Sequence, residues 1–127
     1  MHYVGKLDKN IYKCVTPDIQ TDEVIITDEQ EEHIKQRHPY NFEEYFKYAR
    51  EILQNPDYIL EANKPDTAFV LKSIEEQGRN FEMILRLKTS KDPKNYLNSI
   101  ITFFKVEDKR YNRYLRTKKI LYKSELL

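Results

Sequence analysis

The order of elements along this chain predicts an α+β fold, with helices packed on one face of an antiparallel sheet of four to five strands. Three observations carry that expectation. A short apolar run, Glu23-Val24-Ile25-Ile26, leads straight into a helix that has its own start and stop signals. A second helical stretch follows at once. Almost everything after Tyr58 then reads as strand-like runs separated by turn residues. At 127 residues the sequence is expected to be one domain, 1–127, with a single core and no internal repeat or linker.

Taken in order, Tyr3-Val4 and Ile11 to Val15 flank Leu7-Asp8-Lys9-Asn10, which suggests a small hairpin. Thr16-Pro17-Asp18 breaks it. The first helix is expected from Asp28 to Arg37. Thr27 is a good N-cap and Gln30, three residues on, completes a capping box. Asp28 and Glu29 put negative charge at the positive end of the helix dipole. Pro39 forbids continuation. A second helix starts at the N-cap Asn41 and carries Phe42, Tyr45, Phe46, Ala49, Ile52 and Leu53 at helical spacing, until Asn55-Pro56 ends it. Strands follow at Tyr58–Glu61, Thr67–Ile74, Phe81–Thr89 and Ser99–Val106. Gly78 supplies a positive φ in the loop between the second and third of these. A short helix over Glu107–Arg116 and a strand over Lys119–Tyr122 close the chain.

Composition narrows the function. Only 2 Gly, and no phosphate-loop or dinucleotide fingerprint, argue against those nucleotide sites. One cysteine, Cys14, excludes an intramolecular disulfide framework and a multi-cysteine zinc site, and fits a reducing, cytoplasmic site of action. No apolar run is long enough for a membrane span, and no signal peptide is evident. The net charge of +1 hides a segregation. Asp18 to Glu32 holds seven acids and no Lys or Arg, whereas Lys105 to Lys123 holds eight bases against Glu107 and Asp108. Tyr111, Tyr114 and Tyr122 lie within the basic segment. Phosphate-neutralising side chains mixed with rings that stack on bases suit single-stranded nucleic acid. A solvated helix face with core tyrosines is the plainer alternative.

The helix of residues 28–37 is unusual in what it lacks. A surface helix normally carries an apolar stripe, yet Ile34 is its sole apolar residue, and Gln30, His33, Arg37 and His38 complete the face around it. Such a helix is suited to line a cleft; an exposed helix pinned by Ile34 alone, with its histidines in solvent, is the plainer alternative. On the strand of residues 81–89, alternation puts Met83, Leu85 and Leu87 on one face and Ile84, Arg86 and Lys88 on the other. Ser99 and Thr102 come from the next strand. Alternation groups Thr102 with Ile100 and Phe104, so Ser99 is expected to be the nearer hydroxyl.

No acid joins these groups in a metal-ligand pattern, and two histidines five residues apart do not give the i, i+4 geometry of a zinc helix. No metal or other cofactor is therefore expected. Metal-free RNA cleavage needs a base for the ribose 2′-hydroxyl, an acid for the leaving 5′-oxygen and a cation for the phosphorane. Histidine suits the first two and Arg or Lys the third. Spacing alone does not separate this chemistry from a phosphate-binding module.

The segment Ile25 to Pro39, with His33-Ile34 and Arg37-His38-Pro39, resembles the phage and mobile-element nuclease domains grouped with barnase, EndoU, the colicin tRNases and RelE (the BECR fold). Asn55-Pro56-Asp57-Tyr58-Ile59, Leu85-Arg86-Leu87-Lys88 and Asn98-Ser99-Ile100-Ile101-Thr102-Phe103 are similar to the phage branch in order and spacing. The resemblance implies a metal-independent endoribonuclease, a toxin or phage-borne effector, that cleaves tRNA or other structured RNA to a 2′,3′-cyclic phosphate. It implies His33, His38, Arg86 and Ser99 as catalytic residues, with Arg37, Lys88, Thr102 and Tyr111 on the substrate. Barnase-type members use a glutamate base, and no Glu in this sequence clearly fits. A monomer is expected, with a cognate immunity protein as partner and delivery from a larger secreted toxin or phage protein. A non-catalytic RNA-binding module and a protein-interaction or immunity-type domain are the competing classes.

Overall fold

Two interleaved sets of side chains build the molecule around a sheet. In the computed structural model, which describes residues 1–38, 42, 44, 46–75 and 78–127, the elements are β1 (His2–Lys6), α1 (Lys9–Tyr12), β2 (Glu23–Ile26), α2 (Asp28–Arg37), a 3-10 turn (Phe46–Tyr48), α3 (Ala49–Gln54), β3 (Tyr58–Glu61), β4 (Thr67–Ile74), β5 (Arg79–Arg86), β6 (Asn98–Val106), α4 (Asp108–Thr117) and β7 (Ile120–Lys123). Ile59, Ala68, Val70, Met83 and Phe103 point into one core together with Ile52 and Leu53 of α3. Their strand neighbours Leu60, Phe69, Leu71 and Phe104 point the other way and pack with Tyr111 and Tyr114 of α4. This is strand alternation with both faces buried.

The expected four- to five-stranded sheet is corrected to seven strands, in the order β1-β2-β6-β5-β4-β3-β7. It is mixed rather than wholly antiparallel, because β2 runs parallel to β6 through Val24–Asn98 and Ile25–Ser99. Asn98 holds that junction. Fully buried, it donates to the carbonyls of Thr21 and Glu23 and accepts from the Lys88 amide at 2.7 Å. Helices lie on both faces, not one: α3 belongs to the first core and α4 to the second. The expected N-terminal hairpin is also corrected. β1 pairs with β2 instead, and Asp8 caps the one-turn α1 by accepting from the Asn10 amide. Tyr12 then donates to the Leu53 carbonyl at 2.7 Å, which ties α1 to α3.

Several elements stand where the sequence puts them. α2 spans Asp28–Arg37, and the Thr27 hydroxyl accepts from the Gln30 amide at 3.1 Å. Gly78 takes φ +58°. In the second helical stretch Asn41 and Tyr45 lie outside the described residues; Phe42 is buried in the first core, and from Phe46 the chain is a 3-10 turn running into α3. No helix among the described residues is long and apolar enough to cross a membrane.

Candidate active site

Since β2 stops beside Ile100, the rest of β6 has no strand on that side among the described residues, and α2 packs there. Ile34, 1% exposed, anchors α2 in the first core. The helix then ends at His38, whose ring stacks on Phe104 with centroids 4.4 Å apart and planes 15° from parallel. Phe104 belongs to the opposite face. α2 thus wraps the free edge of β6 and delivers its C-terminal imidazole over the α4 side of the sheet. A cleft of about 740 Å³ opens there, floored by Glu82, Thr102 and Phe104 and walled by His33, Arg37 and His38 on one side and Arg110 on the other.

A β-bulge shapes the floor. Ile84 pairs with Thr102 and Leu85 with Ile100, so Ile101 is an extra residue on β6. Ile100 is buried in the first core, whereas Ile101 and Thr102 both line the cleft. The expectation that Thr102 shares a face with Ile100 is therefore corrected. Thr102 belongs to the cleft, and the bulge is the physical reason.

His38 is half-buried. Desolvation, then the guanidiniums of Arg110 and Arg37, push its pKa below the usual imidazole value. All three favour the neutral ring. Glu82 behaves in the opposite sense. It is only 5% exposed, and burial raises its carboxyl above the usual range, against a Tyr114 hydrogen bond and the charges of Arg110 and Lys118. Among the described residues its Oε1 has no hydrogen-bond partner. Arg110 lies 5.4 Å from the centroid of Phe104 and donates from Nε to the Tyr114 hydroxyl. A single guanidinium is thus felt by both titrating groups.

The sequence-derived set divides. His33, Arg37, His38 and Thr102 share the cleft, with His33 and Arg37 exposed at its mouth. Arg86 and Ser99, cross-strand partners, line a neighbouring concavity that meets the cleft at Gln30 and Ile101. The Arg86 guanidinium is tied to Asp92 Oδ1 at 3.0 Å and to the Leu87 carbonyl, and so braces the loop after β5. Lys88 lies beyond the end of β5, and its ammonium donates to the Lys94 carbonyl at 2.8 Å. Tyr111 is buried against the sheet with its hydroxyl on Ser73, and desolvation pushes its pKa up to about 12. A ring so covered presents no face to a base, so the core alternative holds for Tyr111 and Tyr114.

Sequence reasoning missed Glu82 and Arg110. Glu82 had a signal: a carboxylate inside the run Phe81-Glu82-Met83-Ile84, in phase with Ile84 and Arg86. Arg110 had none beyond its place in a basic run. Only the packing of α4 brings it to β6.

A sheet whose polar face gathers an imidazole, a guanidinium, a buried carboxyl and a hydroxyl has the parts of an acid–base enzyme for anionic substrates. Comparison with known families places the chain among nucleases. The family model described as phage-Barnase-EndoU-ColicinE5/D-RelE like nuclease 2 matches residues 1–123, and the chain belongs to this nuclease family. It matches no curated protein and no solved structure.

Proposed function

We propose that the protein is a metal-independent endoribonuclease that cleaves by transesterification. The observation that carries this reading is one cleft that brings together His38, Glu82 and Arg110, with the imidazole shifted toward its neutral form and the carboxyl toward its acid form. A lowered imidazole pKa favours the neutral ring that accepts a proton, and a raised carboxyl pKa favours the acid form that gives one. His38 takes the proton of the ribose 2′-hydroxyl. The freed oxygen attacks the adjacent phosphorus, the bond to the 5′-oxygen breaks, and Glu82 gives that oxygen its proton. The products are a 2′,3′-cyclic phosphate and a 5′-hydroxyl. Arg110 stabilises the charge on the phosphorane, Thr102 holds a phosphoryl oxygen, and His33 and Arg37 position the strand at the mouth. Arg86 and Ser99 shape the neighbouring concavity.

The donor set supports chemistry without a metal. Among the described residues, the one trio of His, Asp and Glu donors close enough to share an ion is His2, Asp28 and Glu31, and none of them lines the cleft. tRNA or another structured RNA is the proposed substrate, and a toxin or phage-effector role in the cytoplasm, countered by an immunity protein, is the proposed setting. Incubation of total tRNA with the protein in EDTA tests the activity. Cleavage that disappears in His38→Ala is expected. RNA left intact with and without divalent metals would leave a non-catalytic RNA-binding module as the better reading.

A further inference from the structure

We infer that the outer face of α4 is a phosphate track that seats the RNA strand beyond the scissile bond, so that this site acts on extended strands rather than dinucleotides; this rests on the RNase reading above. The helix is fixed in rotation by Tyr111 and Tyr114, both buried, with Tyr114 edge-on to Phe69 at 4.9 Å. With those two rings inward, Lys109, Arg113 and Arg116 are exposed on the other side. They recur at i, i+4 and i+7, one stripe along a helix about 15 Å long. Arg110, in the same turn as Lys109, already walls the cleft, and Lys119, also exposed, follows the C-cap Lys118. The track therefore begins at the reacting centre and leads away from it.

A face charged only for solubility would mix both signs. Here they are separated. No acid occurs between Lys109 and Lys123, in a chain with 21 acids against 22 bases. None of Lys109, Arg113, Arg116 and Lys119 forms an ion pair among the described residues. The acids of α4 are confined to its start, where Glu107 pairs with Lys105 and Asp108 accepts from Asn80. Others lie across the cleft: Glu29 and Glu32 line the depression beside His33 on α2. A polyanion leaving the cleft is repelled by that wall and drawn along α4. The two walls thereby give the bound strand a direction. The occupant of matching chemistry is a nucleic-acid backbone, and in a nuclease site it is the substrate's own.

The test is Arg113→Ala/Arg116→Ala, two exposed side chains away from the reacting groups, with circular dichroism to check folding. Binding of a long single-stranded RNA is measured on the His38→Ala background across a salt series. Two lost phosphate contacts are expected to flatten the slope of log K against log salt by about 1.4. On the active background, kcat/KM for that RNA is expected to fall about tenfold or more at 0.15 M salt, with a dinucleotide substrate unaffected. An unchanged salt slope with normal cleavage overturns the track and leaves the RNase reading intact. Absence of cleavage by the unsubstituted protein instead removes the reading beneath it. If RNA is handled normally while an acidic protein partner is lost, the face is a protein-docking surface and the inference is wrong.

Discussion

The two helices that wall the cleft are the same length but are held in opposite ways. α2 enters the core through Ile34 alone, and its acidic first turn puts negative charge on that side of the cleft. α4 is held by two tyrosines, with Lys109, Arg113 and Arg116 exposed outward and Arg110 turned to the cleft, where it donates to the Tyr114 hydroxyl. The helix with the weaker hold carries the imidazole, so its position depends on its neighbours: the Thr27 cap, the Ile34 anchor and the stack of His38 on Phe104. The helix with the stronger hold supplies fixed charge. Precision is thus placed on a wall with few supports, and long-range attraction on a wall with many. Substitutions should affect the two walls differently.

The largest effect is expected at His38. His38→Ala should lower the turnover of RNA by about 10²- to 10⁴-fold, the usual range for a lost acid–base group, with little change in melting temperature. Gel-based cleavage rates and a thermal melt check both halves. Glu82→Gln is expected to lower turnover by about 10²-fold or more, and to melt no lower than the parent near neutral pH, because it removes a charge that burial disfavours while keeping a partner for Tyr114. A melting temperature well below the parent's would make Glu82 a structural group instead.

Ile34→Ala breaks the comparison from the other side. Removing the sole apolar anchor of α2 should cost about 2–5 kcal/mol, measured by urea unfolding, and reduce activity although Ile34 touches no substrate. The matching change on α4, Tyr111→Phe, keeps the ring and loses a hydroxyl contact with Ser73, so a cost of only about 1 kcal/mol is expected.

Smaller, and sharper, is the pH dependence. His38 has a folded pKa below its unfolded value of 6.5. The unfolded chain therefore takes up its proton first as pH falls, and this group's effect on stability is lost progressively below pH 6.5. Glu82 is raised from 4.5, so its contribution is present below pH 4.5 and is lost as pH rises through its folded value. In activity, the acid limb of kcat/KM should lie below pH 6.5 and move upward in Arg37→Ala, because one of the two cations that depress His38 is gone. An acid limb that stays in place would remove His38 from the base role.

Much of this was legible in the sequence where local chemistry decides. The Thr27 cap, the stop at Pro39, the apolar alternation of β4 and β5 and the Gly78 turn are all short-range signals. What was not legible depends on who meets whom. β1 reads like half of a hairpin with residues 11–15, yet it pairs with β2 because α1 intervenes. The two-residue parallel contact of β2 with β6 leaves no periodicity of its own. The bulge at Ile101 reverses the face of Thr102, and no composition rule marks it. In the site, α2 was readable from its missing stripe. The guanidinium opposite was not, because Arg86 and Arg110 look alike in a sequence, and only the Asp92 brace and the docking of α4 tell them apart.

The central claim is that His38 and Glu82 share one phosphodiester and part its protons between them. Analysis of the ends of RNA cleaved in EDTA tests this most directly. The account predicts fragments that carry a 2′,3′-cyclic phosphate on one side of the break and a 5′-hydroxyl on the other. Fragments with a 3′-hydroxyl and a 5′-phosphate would mean that water, not the ribose, made the attack, and would contradict it.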